Sequence, residues 1–535
     1  MTETEGLGGT DCPRCRGLRT VEAAALFVHG IGAQPPGHTL RTFGAPLLTR
    51  AKTLPGYGGQ GAGPRIDGTI IDVRRLERHE PPAAPPASPV TRIARRLWGA
   101  PRPVSAHTWP AHEVWEVRTA EHGTVASHHW LLVESCWSRS FPLPHPLRFA
   151  VMLLLIAPWM MIFQMGAGWF GWVREVVTAR GTPRSRRAGR VALASAGSYF
   201  GFAPRLLVSI LVITATPLLA VLGTVPILRV PVTLLIDYVG DSVAAMADPA
   251  VRARMRAVIS ADLQWTRRHL PPRASCLVVA HSQGAMLTRE MLAADRPGDG
   301  TVFFGLGSGL ALLHGVGRAL SVRTSLLGWL SATCLTLMLV LLAVAGVTSF
   351  PGFFADINAT LHDPYGAGLA RAFQPPDQAE QLVMVALVLQ VSGGLALRAS
   401  GMTALIAEWR EKLRLPHDAV GHWREFTSAY DPVSCGPILD GVANSLVPVV
   451  NGPVLPAEHT GYHRNPLVQA EILAALAGSA GLWLPIGFLA ETYALAERAQ
   501  RRDRLIIRLS TYTVWFSCFG VIASVLFWSN PGGLW

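Results

Sequence analysis

The chain has 535 residues, of which 50% are hydrophobic and only 15% are charged. So few charged side chains would not cover an ordinary soluble protein of this length, and the composition therefore predicts membrane-spanning segments. The formal net charge of +12 is carried almost wholly by arginines that stand beside apolar runs, which favours lipid contact and membrane topology. No nucleic-acid-binding motif accompanies this charge, so we expect no nucleic-acid partner.

Residues 1–20 are predicted to form a disordered tail. They lack the charged start and apolar core of a signal peptide, which favours a cytoplasmic location for the N-terminal part. Cys12 and Cys15 have the spacing of half a zinc site, but no second pair follows nearby, and a structural zinc ion usually needs four ligands. The seven cysteines are otherwise scattered, so we expect neither a disulfide framework nor a metal centre.

Several apolar stretches are long enough to cross a bilayer of ~30 Å. Arginines beside the last three place the polar part of the chain in the cytoplasm, whereas an arginine-rich loop at 180–190 argues for the opposite orientation. The stretch at 471–495 has acidic residues towards both ends and is predicted to be a buried helix instead. We therefore expect a multi-pass integral membrane protein of a bacterial cell membrane, with about five spans and a cytoplasmic polar domain. The predicted spans are 149–173, 206–228, 326–347, 382–399 and 511–528.

The segment CLVVAHSQGAML, residues 276–287, has the pattern of a nucleophile elbow. A strand of small and β-branched residues ends at Ser282, and a helical pattern follows. The sharp turn needs small residues two positions to either side of the serine, and Ala280 and Gly284 stand there. This turn would expose the Ser282 hydroxyl and would direct the backbone N–H of Gln283 towards a developing oxyanion. The pattern therefore predicts that Ser282 is a nucleophile.

A second element, FVHGIGAQ at 27–34, is a strand followed by a glycine-containing turn. Gly30 and Gly32 would let the backbone approach a substrate closely. In a fold with a nucleophile elbow, this loop supplies the other oxyanion donor, and the N–H of Ile31 is the candidate. We expect His29 to shape the loop and not to act as a base.

A serine nucleophile needs a base and a residue that orients the base. Asp431 ends a strand-like run and is followed by a proline, which makes it the candidate acid, with Asp440 as the alternative. His459 and His463 follow in a polar loop before a helix. His459 is the candidate base and His463 the alternative. The order serine, acid, histidine along the chain is the one that accompanies a nucleophile elbow.

The stretch that contains both histidines also carries structural signals. Asn465 and Pro466 are predicted to start the next helix, and Tyr462 is predicted to pack beneath the loop.

Together, the motifs FVHGIG, AHSQG, YDPV and HTGYHRNP resemble those of the α/β-hydrolase superfamily, within its lipase and esterase branch. The HGIG element is similar to that of small bacterial lipases, and HTGYHRNP is similar to an element of bacterial membrane-associated hydrolases. The resemblance covers less than half of the chain, and Ala280 and the large insertions depart from the family pattern. It implies a serine hydrolase that acts on ester or related acyl bonds through a Ser-His-Asp triad, with no metal or cofactor.

The expected fold class is α/β, with an α/β-hydrolase-type, mostly parallel sheet that inserted transmembrane helices interrupt. The hydrolase domain would be assembled from three parts. The predicted organisation is a tail (1–20), a first hydrolase part (21–148, with a Pro/Gly-rich insertion at about 54–112), a transmembrane hairpin (149–230), a second part with the elbow (231–310), a second insertion (311–420), a third part with the acid and histidine (421–508) and a C-terminal transmembrane helix (509–535).

Two functions are compatible with these patterns. The first is a membrane-anchored serine esterase or lipase, with the lipid bilayer as a partner and an acyl ester or lipid as the substrate. The second is a membrane scaffold that keeps the fold without catalysis. A transporter is disfavoured because charged residues inside the predicted spans are few and no repeated halves are present.

Overall fold

A computed structural model of the chain describes five main segments and a few isolated residues outside them. The chain divides into two compact units. The first comprises 1–153, 215–318 and 410–504, and it contains every helix and strand named below, whereas the second lies almost wholly outside the described residues. The described segments are 21–52, 69–80, 109–140, 240–310 and 413–502, with gaps at 31, 33, 122–123, 247, 273, 417, 429–430, 432, 435–444, 453–454 and 486.

The first unit is built on a mixed sheet of eight strands. The strands are β1 (Ala23–Val28), β2 (Thr69–His79), β3 (Ala111–Glu121), β4 (Thr124–Ser135), β5 (Cys276–His281), β6 (Gly298–Leu306), β7 (Val420–Thr427) and β8 (Ser445–Pro448). Their order in the sheet is β2-β3-β4-β1-β5-β6-β7-β8. All neighbours from β4 to β8 pair in parallel, whereas β2 and β3 form an antiparallel edge with β4.

The centre of the sheet consists of β1 and β5, which pair along Ala24–Val28 and Cys276–Ala280. Every residue of β1 is buried, and only His281 at the end of β5 is not. Both strands read as continuous apolar runs because helices cover a parallel sheet on both faces. The antiparallel edge is more exposed, and its strand β2 lies within the stretch predicted to be a Pro/Gly-rich insertion.

Helices lie on both faces of the sheet. They are α1 (His38–Ala51), α2 (Pro249–Arg268), α3 (Gln283–Asp295), α4 (Leu455–Thr460) and α5 (Pro466–Ser479). The chain leaves β1 towards α1, which packs with α5 over Ala25 and Phe27. It leaves β5 towards α3, which packs with α2 on the opposite face. The connections after these two neighbouring strands therefore run to opposite faces of the sheet.

Two helix starts follow from the sequence directly. The side chain of Asn465 accepts hydrogen bonds from the first turn of α5, and Pro466 occupies the first helical position, so the predicted start of this helix is confirmed. Asp248 caps α2 in the same way by accepting from Ala250 N and Val251 N.

The membrane part of the fold-class prediction is corrected by the structure. Among the described residues, no helix combines the length and the apolar character that crossing a bilayer requires. Helix α2 has 20 residues but carries arginines at both ends, and α5 is apolar but has only 14 residues, which is ~21 Å. The predicted multi-pass integral membrane location is corrected by the same finding. The five stretches predicted as spans lie outside the described residues, apart from Phe149 and Cys334.

The stretch at 471–495, predicted as a buried helix, contributes Ile472, Leu473 and Leu476 to the core. It is not one helix, because α5 ends at Ser479 and a second helical segment begins at residue 488. Gly481 breaks the helix with a φ of 70°, a conformation that side-chain-bearing residues rarely adopt. The tail at 1–20, with Cys12 and Cys15, lies outside the described residues.

Candidate active site

Ser282 lies at the turn between β5 and α3, in the strand–turn–helix context that the sequence predicted. Its φ of 55° and ψ of −124° are strained for a residue with a side chain. The turn is held from both sides, because Ser282 N donates to Leu306 O at 3.0 Å and Ser282 O accepts from Ala285 N at 3.1 Å. The surrounding backbone therefore maintains the strained conformation.

Two glycines allow the elbow to pack against the loop after β1. A Cβ atom at Gly284 would overlap the carbonyl oxygen of His29, and one at Gly30 would lie 2.8 Å from the Cβ of Ser282. Both contacts are too short for a real side chain. The absence of a side chain at these two positions is therefore a steric requirement of the elbow.

The structure brings Ser282, Asp431 and His459 together in one hydrogen-bonded chain. His459 Nε2 lies 2.9 Å from Ser282 Oγ, and His459 Nδ1 lies 2.9 Å and 3.0 Å from the two carboxylate oxygens of Asp431. A carboxylate only accepts, so Nδ1 donates to it and Nε2 is free to accept the Ser282 O–H. Ser282 and Asp431 are fully buried, and His459 is 8% exposed.

Asp431 follows β7 and is held by three donors besides His459. Oδ1 accepts from Val433 N at 2.8 Å and Ser434 N at 3.2 Å, and Oδ2 accepts from the Tyr462 hydroxyl at 2.9 Å. Burial and the nearby Asp431 carboxylate hold the pKa of Tyr462 well above its usual range, so the phenol keeps the proton that it donates. These bonds fix the plane of the carboxylate towards the imidazole.

His281, the residue before the serine, was not singled out from the sequence, although it lies inside the elbow motif. Its Nε2 donates to the carbonyl oxygen of His459 at 2.8 Å, and the two rings lie 4.9 Å apart. Burial, followed by the proximity of His459, lowers the pKa of His281 to about 3. His281 is therefore neutral near pH 7, and it connects the elbow to the segment that carries His459.

Two buried carboxyl groups near Asp431 were also missed. Burial raises the pKa of Glu425 on β7 to about 7, and this side chain accepts from the Ser308 hydroxyl and from Trp423 Nε1. Burial also raises the pKa of Glu458, which precedes His459. In sequence, both look like ordinary charged residues of a strand or helix, so only their burial distinguishes them.

The oxyanion candidates are partly described. Gln283 is the first residue of α3, and its backbone N–H has no acceptor among the described residues. Ile31 lies outside the described residues. The N–H of Gly32 is already engaged, because it donates to Asp241 Oδ2 at 2.8 Å. Gln283 and its neighbour Gly284 therefore offer the described N–H groups nearest to Ser282.

His29 interacts with the backbone of its own loop. Its Nδ1 donates to Gly30 O at 2.8 Å, its ring stacks on Trp137 at 4.7 Å, and its carbonyl accepts from Trp137 Nε1 at 3.0 Å. Burial lowers its pKa to about 4, so it is neutral near pH 7. These contacts are those of a residue that shapes the loop.

The alternative site residues have other surroundings. His463 lies in a short 3₁₀ turn at Tyr462–Arg464, where its ring packs edge-on against Phe43 with the ring centroids 5.8 Å apart. No hydrogen bond between described residues joins it to Ser282 or Asp431. Asp440 lies outside the described residues.

Comparison of the chain with known protein families, with curated proteins and with solved structures finds no match. The chemistry of the site therefore follows from the arrangement of its own side chains.

Proposed function

We propose that the chain is a serine hydrolase that cleaves an acyl ester through Ser282, His459 and Asp431. The observation that carries the proposal is the continuous hydrogen-bonded chain from Ser282 Oγ through both nitrogens of His459 to the Asp431 carboxylate. This is the geometry of a nucleophile, its base and the group that orients the base.

In the proposed reaction, Ser282 Oγ attacks the ester carbonyl while its proton passes to His459 Nε2. The tetrahedral intermediate collapses, the bond to the alkoxy oxygen breaks, and His459 returns the proton to the leaving alcohol. Water then attacks the acyl-serine, with His459 again taking and returning one proton, and releases the acid. Asp431 accepts from Nδ1–H throughout and stabilises the imidazolium that forms in each half-reaction.

The backbone N–H of Gln283 is proposed to stabilise the oxyanion, with the N–H of Ile31 as the second donor. A donor that is fixed before the reaction stabilises developing charge without reorganisation, and loss of one such donor typically costs ~10²–10³-fold in rate. Since Gln283 begins α3, the positive end of the helix dipole adds to this stabilisation.

The position of the site in the fold supports an enzymatic role. Ser282 follows β5 and His29 follows β1, and the connections after these adjacent parallel strands run to opposite faces of the sheet. Crevices at such a point, beyond the carboxyl ends of the strands, are where open α/β sheets bind ligands. This arrangement and the chain order serine, acid, histidine are those expected from the α/β-hydrolase resemblance.

The complete burial of Ser282 favours the alternative, a catalytically silent scaffold that keeps the fold. A buried hydroxyl cannot reach a substrate until the site opens. Labelling with a serine-directed probe separates the two functions, because a scaffold gains nothing from an activated hydroxyl.

The test is the rate of fluorophosphonate labelling of the full chain. The wild type should label, Ser282→Ala should not, and His459→Ala should label at least ~10²-fold more slowly because the general base is lost. Ser135→Ala is the matched control, because Ser135 is another buried serine at the same sheet edge, whose hydroxyl donates to Asp262 at 2.7 Å. A folded wild type that does not label would favour the scaffold.

A further inference from the structure

A buried polar network connects the loop after β1 with the nucleophile elbow. Its members are Gly32, Asp241, Ser242 and Gln283, and we refer to them as the Asp241 network. All four are buried. None of them takes part in the proposed proton transfers, and sequence analysis gave no reason to single out Asp241 or Ser242.

The Asp241 side chain holds the loop. Its Oδ2 accepts from Gly32 N at 2.8 Å, and its Oδ1 accepts from Ser242 N at 2.8 Å. The φ of Gly32 is 97°, so the loop adopts a conformation here that few residues would keep unaided. Hydrogen bonds from backbone N–H groups to a buried carboxylate are charge-assisted and stronger than neutral ones. Asp241 therefore fixes the backbone next to Ile31.

The same segment holds the elbow. Gln283 Nε2 donates to the backbone carbonyl of Asp241 at 3.3 Å, and the Ser242 hydroxyl donates to Gln283 Oε1. Both polar ends of the Gln283 side chain are thereby engaged. The side chain is attached to the residue whose backbone N–H is the proposed oxyanion donor, so these bonds restrict the position of that donor.

We propose that Asp241 is a positioning residue of the oxyanion hole. Through its carboxylate and its backbone carbonyl, it sets the loop after β1 and the start of α3 relative to each other, although Gly32 lies 209 residues before it in the chain. The inference rests on the proposed serine hydrolase function. Because oxyanion stabilisation depends on donors held in place, losing this link should slow the chemical step more than it weakens substrate binding.

The experiment compares hydrolysis of p-nitrophenyl butyrate and fluorophosphonate labelling across variants of the full chain. Asp241→Ala should lower kcat and the labelling rate ~10–100-fold, with KM changed less than about threefold. Asp241→Asn should recover part of the loss, since its amide oxygen still accepts one backbone N–H. Asp248→Ala is the matched control, because Asp248 also accepts two backbone N–H groups but does so at the start of α2.

A trifluoromethyl ketone inhibitor adds a readout that a merely structural role would not change. Its adduct with the serine carries the oxyanion, so its Ki should rise in proportion to the loss of kcat/KM across the Asp241 variants. Should Asp241→Ala fail to fold, Asp241→Asn and Ser242→Ala carry the same test, the latter removing only the hydroxyl that binds Gln283.

The outcomes separate the inference from the function on which it rests. If the wild type labels and Ser282→Ala does not, but the Asp241 variants react as fast as Asp248→Ala, the positioning role is wrong and the hydrolase proposal stands. A KM increase without a loss of kcat would likewise overturn it. If the wild type itself does not label, the proposed function fails and the inference fails with it.

Discussion

Tyr462 and Asp431 are joined by a 2.9 Å hydrogen bond, in which the buried phenol donates to Asp431 Oδ2. The same phenol oxygen accepts from the backbone N–H of Ser428, three residues before Asp431, at 3.0 Å. One side chain, three residues after His459, therefore fixes both the acid and the loop that carries it. Base and acid are positioned together.

The first prediction concerns this bond. Tyr462→Phe should lower the free energy of unfolding by about 1–3 kcal/mol, because the buried Ser428 N–H loses its acceptor. It should also slow fluorophosphonate labelling several-fold, since Asp431 loses one of its orienting donors. Tyr493→Phe is the control, because its hydroxyl donates to Glu471, which is not part of the triad. Thermal denaturation and labelling rates measure both effects, and equal behaviour of the two variants would contradict the prediction.

The second prediction concerns Gly307, which has a φ of 50°. A Cβ atom there would overlap the Tyr462 ring and would lie 2.6 Å from Asp431 Oδ2. Gly307→Ala should therefore destabilise the fold and reduce labelling. Gly481→Ala introduces comparable backbone strain at a φ of 70°, where nothing lies within 4 Å of the new Cβ, so it should cost only about 1 kcal/mol and leave labelling unchanged. Denaturant unfolding and labelling of both variants decide the matter.

The third prediction concerns pH and Glu425. Its pKa of about 7 lies above the ordinary 4.5, so between these values the folded chain keeps a proton that the unfolded chain releases. Stability therefore falls as pH rises through this window, by about 1.4 kcal/mol per pH unit for one proton. Glu425→Gln removes this contribution.

The Glu425→Gln variant should thus exceed the wild type in free energy of unfolding at pH 8, by up to about 3 kcal/mol, and should lose this advantage towards pH 4.5. Urea unfolding at both pH values measures it. Asp262, whose pKa burial also raises to about 7, provides a comparison at a site without contact to Asp431. A wild-type advantage that is constant with pH would show that Glu425 does not titrate in this window.

The fourth prediction concerns the strained serine. Ser282→Gly should be about 1 kcal/mol more stable than Ser282→Ala, because glycine adopts a φ of 55° and a ψ of −124° without steric cost. Neither variant should label. Arg296→Gly relieves a second positive φ, 44° at the end of α3, and should gain stability while labelling at the wild-type rate. If Ser282→Gly is less stable than Ser282→Ala, the turn is not strained.

Local signals predicted the elbow well, because a strand, a small-residue turn and a helix within 276–287 depend on neighbouring residues. The start of α5 was equally local. The Asp241 network and the buried Glu425 carry no such signal, since they are defined by contacts between segments far apart in sequence. The membrane prediction relied on composition and apolar length alone, whereas the described helices use their apolar faces to cover the sheet.

The spacing of the triad along the chain has a consequence for folding. Ser282 and His459 are 177 residues apart, and their hydrogen bond requires β5 and the segment after β8 to be in place at the same time. Long-range contacts of this kind close large loops and form late relative to local helices and turns. No isolated fragment of the chain carries the complete triad unless it spans both regions. Recovery of labelling after dilution from denaturant would thus report assembly of the whole parallel sheet, whereas recovery of helical circular dichroism would not.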